Sequence, residues 1–173
     1  PGQPDGYTPG GMMARYFDGA APNADELPES PFLWRLEPEL SLTKTQGDFA
    51  TLHEGKVFTT HLEGGLYVAE SGTYTPMATM SDSIRVKLHG QTVLDMWKAG
   101  EQLTMETTLV LEAGWHPLDI VYARDWYRAH LQIWFAPEGE LVQPLGPESL
   151  GFSQELPANA PELTAEAVFG DAH

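Results

Sequence analysis

The sequence predicts an all-β domain, an antiparallel β-sandwich or barrel, and three observations predict it. Between Thr73 and Phe135 apolar and polar residues alternate with period two, the pattern of strands with one dry and one wet face. Such runs recur about every ten residues with turn residues between them. The 17 glycines and 14 prolines among 173 residues punctuate the chain too often for long helices.

Pro1-Gly2-Gln3-Pro4-Asp5-Gly6 reads as linker, and residues 1–10 are assigned to an N-terminal linker. Met12 to Phe17 is the expected opening strand. Ala20 to Lys44, with several prolines and acids, is expected as a long covering loop with room for a short helical turn. Lys56 to Ala69 contains two strand-like pieces on either side of Gly64-Gly65. Ile84, Val86 and Leu88 then alternate with Arg85, Lys87 and His89, and His89-Gly90-Gln91 reads as a tight turn into Thr92–Trp97, which makes a hairpin. Thr104 to Leu111 is a further strand, stopped by Glu112-Ala113-Gly114. Leu118, Ile120 and Tyr122 mark the next strand, and Leu131, Ile133 and Phe135 the one after. Residues 155–173, with Pro157, Pro161 and many Ala and Glu, read as a tail or linker, which leaves 11–154 as the domain. The chain opens at Pro1 without an initiator Met, as expected either of an artificially trimmed chain or of a mature product.

Nine Lys and Arg stand against 25 Asp and Glu, a formal charge of −16. Nucleic acid and anionic membranes are polyanions that select basic surfaces, so neither is an expected partner; small neutral ligands, cations and basic proteins are. The absence of cysteine excludes disulfides, thiolate nucleophiles and Cys-ligated zinc, so packing must hold the fold. No apolar run approaches the roughly 20 residues of a membrane-spanning helix.

Enzyme signatures fail on their mechanics. His53-Glu54 starts like a zinc-protease helix, but position 57, where the second His belongs, is Val. Gly55-Lys56 lacks the upstream glycine and the following hydroxyl of a phosphate-binding loop. Ser71-Gly72 follows Ala69-Glu70, so there is no nucleophile elbow. Ser41-Leu42-Thr43-Lys44 matches the Ser-x-x-Lys of acyl-serine enzymes, a short pattern in a chain too small for that fold. The six histidines are never at metal-ligand spacing. Trp97, Trp115 and Trp134 sit in strand patterns and are expected in the core or on a sheet face.

The order of several motifs is distinctive. Gly11-Met12-Met13-Ala14-Arg15-Tyr16-Phe17, Leu62-Glu63-Gly64-Gly65-Leu66-Tyr67-Val68, Glu70-Ser71-Gly72-Thr73-Tyr74-Thr75, the run Met80–Gly90, and Leu111-Glu112-Ala113-Gly114-Trp115-His116-Pro117-Leu118 follow in series. From about Gly11 to Leu150 the chain resembles the protective-antigen domain family, the β-barrel module of the anthrax toxin, glycosidases and flocculin adhesins. The resemblance implies an extracellular, periplasmic or cell-surface module that binds carbohydrate and does not itself catalyse. In the adhesin branch two consecutive aspartates hold calcium, which holds sugar hydroxyls; calcium takes 6–8 oxygen ligands, and a sugar diol can fill two places.

That aspartate pair aligns with Ser81-Asp82, and the matching far loop reads Ala123-Arg124-Asp125-Trp126-Tyr127-Arg128. The resemblance therefore implies a ligand site of Ser81, Asp82, Ser83, Asp125, Trp126 and Tyr127, with Asp82 and Asp125 as calcium ligands and a glycan as partner. One carboxylate has become a hydroxyl, and Arg124 and Arg128 bring positive charge near any cation. Two other readings stand beside it: Trp126 and Tyr127 pack against the barrel rim, or the domain is a structural or protein-interaction module of a larger envelope protein. Pro76 replaces the family's aromatic, and since proline has no N–H to give a ladder, its strand is expected at an edge or bulged.

Overall fold

The computed structural model describes residues 6–43, 57–80, 83–97, 102–105, 108–124, 130–137 and 145–153. Among them all regular structure is strand, and no helix is long and apolar enough to cross a membrane. The strands are β1 (Thr8–Pro9), β2 (Met12–Asp18), β3 (Leu33–Glu37), β4 (Ser41–Thr43), β5 (Phe58–Val68), β6 (Gly72–Met80), β7 (Ser83–Leu88), β8 (Gln91–Met96), β9 (Gln102–Met105), β10 (Leu109–Leu111), β11 (Gly114–Arg124), β12 (His130–Pro137) and β13 (Leu150–Phe152). An eight-stranded sheet runs β1-β13-β5-β11-β7-β8, with β2 beside β5 and β3 beside β2. A five-stranded sheet runs β10-β6-β12-β4, with β9 also on β6. Every pairing is antiparallel, and the predicted all-β class is what the chain adopts.

The core follows from the period-two pattern. Leu62 and Leu66 of β5, Ile84, Val86 and Leu88 of β7, and Leu118, Ile120 and Tyr122 of β11 point inward from the larger sheet. Ala78 of β6 and Leu131, Ile133 and Phe135 of β12 belong to the same core. Each such Leu or Ile contributes roughly 1.5–3 kcal/mol by leaving water. The hairpin β7–β8 closes through His89 and Gly90, both at positive φ (54° and 76°), the primed-turn geometry that suits strand twist.

Several expected elements differ. The two pieces around Gly64-Gly65 are one 11-residue strand, β5. The glycines mark close approach: a Cβ on Gly64 would lie 2.1 Å from the Gly151 carbonyl oxygen, and one on Gly65 would lie 2.9 Å from the Tyr7 ring. The expected covering loop from Ala20 holds β3 and β4, with β3 paired along β2. The expected strand Thr104–Leu111 starts at Gln102 and is split into β9 and β10, offset by one residue along β6. That split accounts for Pro76. Strand β6 is internal, not an edge, but β9 pairs with Met77–Met80 and β10 with Gly72–Tyr74, so Thr75 and Pro76 fall between them. Within the stretch assigned as linker, Thr8–Pro9 pairs with β13.

One ion pair faces inward. Arg35 and Glu37 alternate to the inner face of β3, opposite Ala14 and Met12, and are 2% and 4% exposed. Arg35 Nε donates to Glu37 Oε2 at 2.8 Å, the Tyr16 hydroxyl donates to the same oxygen, and Arg35 also reaches the Tyr16 hydroxyl at 3.2 Å. Inward charges of this kind discourage an outer strand from pairing with foreign chains. Burial pushes the Tyr16 phenol well above its ordinary range; Arg35 opposes this and Glu37 adds to it.

Two predictions follow from this packing. Gly64→Ala should lower stability by about 2–3 kcal/mol in urea unfolding, because the new methyl meets backbone, whereas Gly72→Ala, with open space around it, should change it by under about 0.5 kcal/mol. Because Tyr16 titrates higher folded than unfolded, its stabilising effect is complete below the unfolded value near 10 and is lost as pH rises beyond it. Tyr16→Phe should therefore flatten the fall in stability above about pH 10; an unchanged alkaline limb would contradict the buried triad.

Candidate functional site

The rim implied by the sequence is reached from described strands on both sheets. Ser83, first residue of β7, is paired with Ala123 near the end of β11, and Met80, last of β6, is paired with Leu131 near the start of β12. The connections 81–82 and 125–129 thus join the same two neighbouring strand pairs. Ser81, Asp82, Asp125, Trp126 and Tyr127 lie outside the described residues. Ser83 is placed: it is buried, held in the ladder. At the same end the Thr59 hydroxyl donates to Gly19 O at 2.8 Å and accepts from Ala21 N at 2.9 Å, which pins the chain leaving β2.

The outer face of the larger sheet carries a polar network. Register sets Arg15 of β2 opposite His61 of β5, and Glu63 opposite Asp119 of β11. His61 Nε2 is 2.7 Å from Asp119 Oδ2, and Arg15 donates to His61 Nδ1 and, at 3.1 Å, to Glu63 Oε1. A nitrogen that accepts from a guanidinium carries no proton, so Nε2 is the protonated nitrogen and donates to Asp119. Arg85 lies 4.0 Å from Asp119 Oδ1 and 2.6 Å from Asp25 Oδ1, and its hydrogen bond holds the Asp25 carboxyl below the usual range. His61, Glu63 and Asp119 offer ligand atoms within 4.8 Å of one another, the spacing of a metal trio. Arg15 already supplies positive charge to two of the three, and its guanidinium is seated over Phe17 and Trp34 at 5.6 and 5.7 Å. The trio is therefore an internally compensated ion network.

Beyond this network an aromatic group covers the face. Trp115 lies between Tyr7 and Tyr67, with ring centroids 5.5 and 5.2 Å away, and its indole rests where Gly65 and Gly151 have no side chain. A pocket of about 220 Å³ opens between Tyr7 and the polar residues Glu63, Lys87 and Asp119. At the end of the sandwich away from Ser83 and Ala123, a more apolar cleft of about 450 Å³ is lined by Leu66, Tyr67, Tyr74, Phe135 and Leu145. His89 and His116 also meet: His116 Nε2 donates to Glu112 O at 2.6 Å, which leaves its Nδ1 to accept from His89 Nε2 at 2.6 Å.

Sequence spacing missed the network and the histidine contact because both are made between strands. The available signal was that His61, Glu63 and Asp119 occupy wet positions of alternating strands; which residues face each other depends on register. The tryptophan expectation fits Trp115, buried on the sheet face.

Residues 35–134 match the model of the PA14 domain. No curated protein matches the sequence. Among solved structures, the PA14 domain of the MpAFP antifreeze protein is similar with a TM-score of 0.70 and 13% identity, over 89% of this chain and 96% of that one. A PA14 sugar-binding domain from an RTX adhesin gives 0.66 and 16%, over 84% and 99%. The Epithelial Adhesin 9 A domain from Candida glabrata, in complex with Galb1-3GlcNAc, gives 0.63 and 11%, over 87% and 91%. These likenesses show the shared sandwich, and the family match covers more than half of the chain: it belongs to the PA14 domain family.

Proposed function

We propose that the chain is a non-catalytic carbohydrate-binding module of the cell surface or exterior, with its ligand site on the rim between the segments around Asp82 and Asp125. The observation that carries this reading is the register that sets Ser83 opposite Ala123 and Met80 opposite Leu131, so the described anchors of both segments lie together. Two structural neighbours, the PA14 sugar-binding domain from an RTX adhesin and the Candida adhesin domain in complex with Galb1-3GlcNAc, support a glycan as the partner class.

The chemistry suits a neutral sugar. Trp126 and Tyr127 offer apolar ring faces, Ser81, Asp82 and Asp125 offer oxygen donors, and Ser83 anchors the strand end. Calcium bound by Asp82 and Asp125 would supply open coordination positions for a sugar diol. Arg124 and Arg128 bracket Asp125 in sequence and lower calcium affinity relative to a site with paired aspartates. The charge of −16 selects against sulfated or uronic glycans.

Glycan-array binding in calcium and in chelator tests this reading. Neutral glycans should bind in calcium, with binding lowered at least about tenfold by chelator and by Asp82→Asn. Binding of no glycan in either condition would remove the reading and favour a protein-interaction module.

A further inference from the structure

The pocket on the outer sheet face is built from rigid parts. Its walls come from the central strands β5 and β11, from Lys87 of β7 and Gly90 of the β7–β8 turn, and from Tyr7 and Ser153 at the sheet's other margin. Tyr7 is held by its contact with Trp115 and by the missing side chain at Gly65, where a Cβ would come within 2.9 Å of its ring. The aromatic wall is thus fixed before any ligand arrives, which reduces the ordering cost of binding.

The same pocket is lined by two acidic residues and one lysine, Glu63, Asp119 and Lys87. Asp119 Oδ2 is engaged by His61, and Asp119 Oδ1 is shielded from solvent with the Arg85 guanidinium 4.0 Å away, so Asp119 shapes the charge of the pocket wall from behind. A volume of about 220 Å³ is below the roughly 300–1,000 Å³ of sites for drug-sized molecules, so the occupant is a single small ring. Carboxylates accept hydroxyl protons and the lysine donates to hydroxyl oxygens, while the tyrosine face packs on a ring's C–H surface. An anion would meet both carboxylates and a chain of charge −16.

We propose that this pocket is a second ligand site that takes one neutral polyhydroxylated ring against Tyr7, apart from the rim and without calcium. Its observations are independent of the rim reading. A module with a rim site and a sheet-face site would hold two residues of a branched or repeating glycan, or two chains.

The test is amide chemical-shift mapping of the full chain in chelator, titrated separately with D-glucose, D-galactose and D-mannose. At least one should bind with a Kd on the order of millimolar, shifting the amides of Gly64, Gly90, Leu118 and Ser153. Tyr7→Ala should weaken it about tenfold. Lys87→Met, which removes the ammonium without disturbing the aromatic packing, should also weaken it and serves if Tyr7→Ala fails to fold. No shifts at these four amides with any of the three sugars, or shifts unchanged in Lys87→Met, would overturn the proposal. If the titrations are repeated in calcium, sugar-induced shifts seen only there and confined to Ser83, Ala123 and Leu131 would overturn it too, yet leave the rim reading standing.

Discussion

Strands β5 and β11 pair along their entire lengths, Phe58 opposite Arg124 at one end and Val68 opposite Gly114 at the other. On the far side of β11 lies β7, and on the far side of β5 lie β2 and β13, end to end. Because side chains alternate strictly along a strand, this ladder decides at once which residues enter the core and which face water. A slip of one residue would turn Leu62, Ile120 and Tyr122 outward and bring His61, Glu63 and Asp119 into the core, where three ionisable groups would face no water. Hydrophobic burial and polar exposure therefore select the same register.

The ladder also explains the glycines. At Gly64 the neighbour of β5 changes from β2 to β13, and the backbone of Gly151 comes so close that no side chain fits. The adjacent Gly65 and Gly151 leave a flat floor for Trp115, on which Tyr7 and Tyr67 lean. Proline at 117 is tolerated on a central strand for a related reason. Its carbonyl accepts from His89 N at 3.0 Å, so its ring nitrogen faces the same edge, where β7 has already turned.

Much of the fold was legible because alternation is a local property. Ile84-Val86-Leu88, Leu118-Ile120-Tyr122 and Leu131-Ile133-Phe135 marked β7, β11 and β12, and His89-Gly90 marked the turn. What was not legible depended on partners distant in sequence. Gly64-Gly65 looks like a strand break until β13 is beside it, and Leu33–Glu37 looks like loop because Arg and Glu at inward positions hide its pattern. Pro76 looked like an edge or bulge residue, and which of the two it is could not be read locally because the gap between β9 and β10 lies about thirty residues further on. The rim segments are legible in motif order alone, whereas the Tyr7 pocket needs five chain segments, and no local pattern joins them.

The register that brings the two rim segments together can be measured cleanly, because the chain has no native cysteine. Directly opposed residues of antiparallel strands have Cα atoms about 4.5–5.5 Å apart, within the span of a disulfide. Ser83→Cys combined with Ala123→Cys should oxidise to an intramolecular disulfide with the fold intact, and Ser83→Cys with Tyr122→Cys, on opposite faces, should stay reduced. Bridging of the second pair in preference to the first would contradict the register and dissolve the proposed rim site.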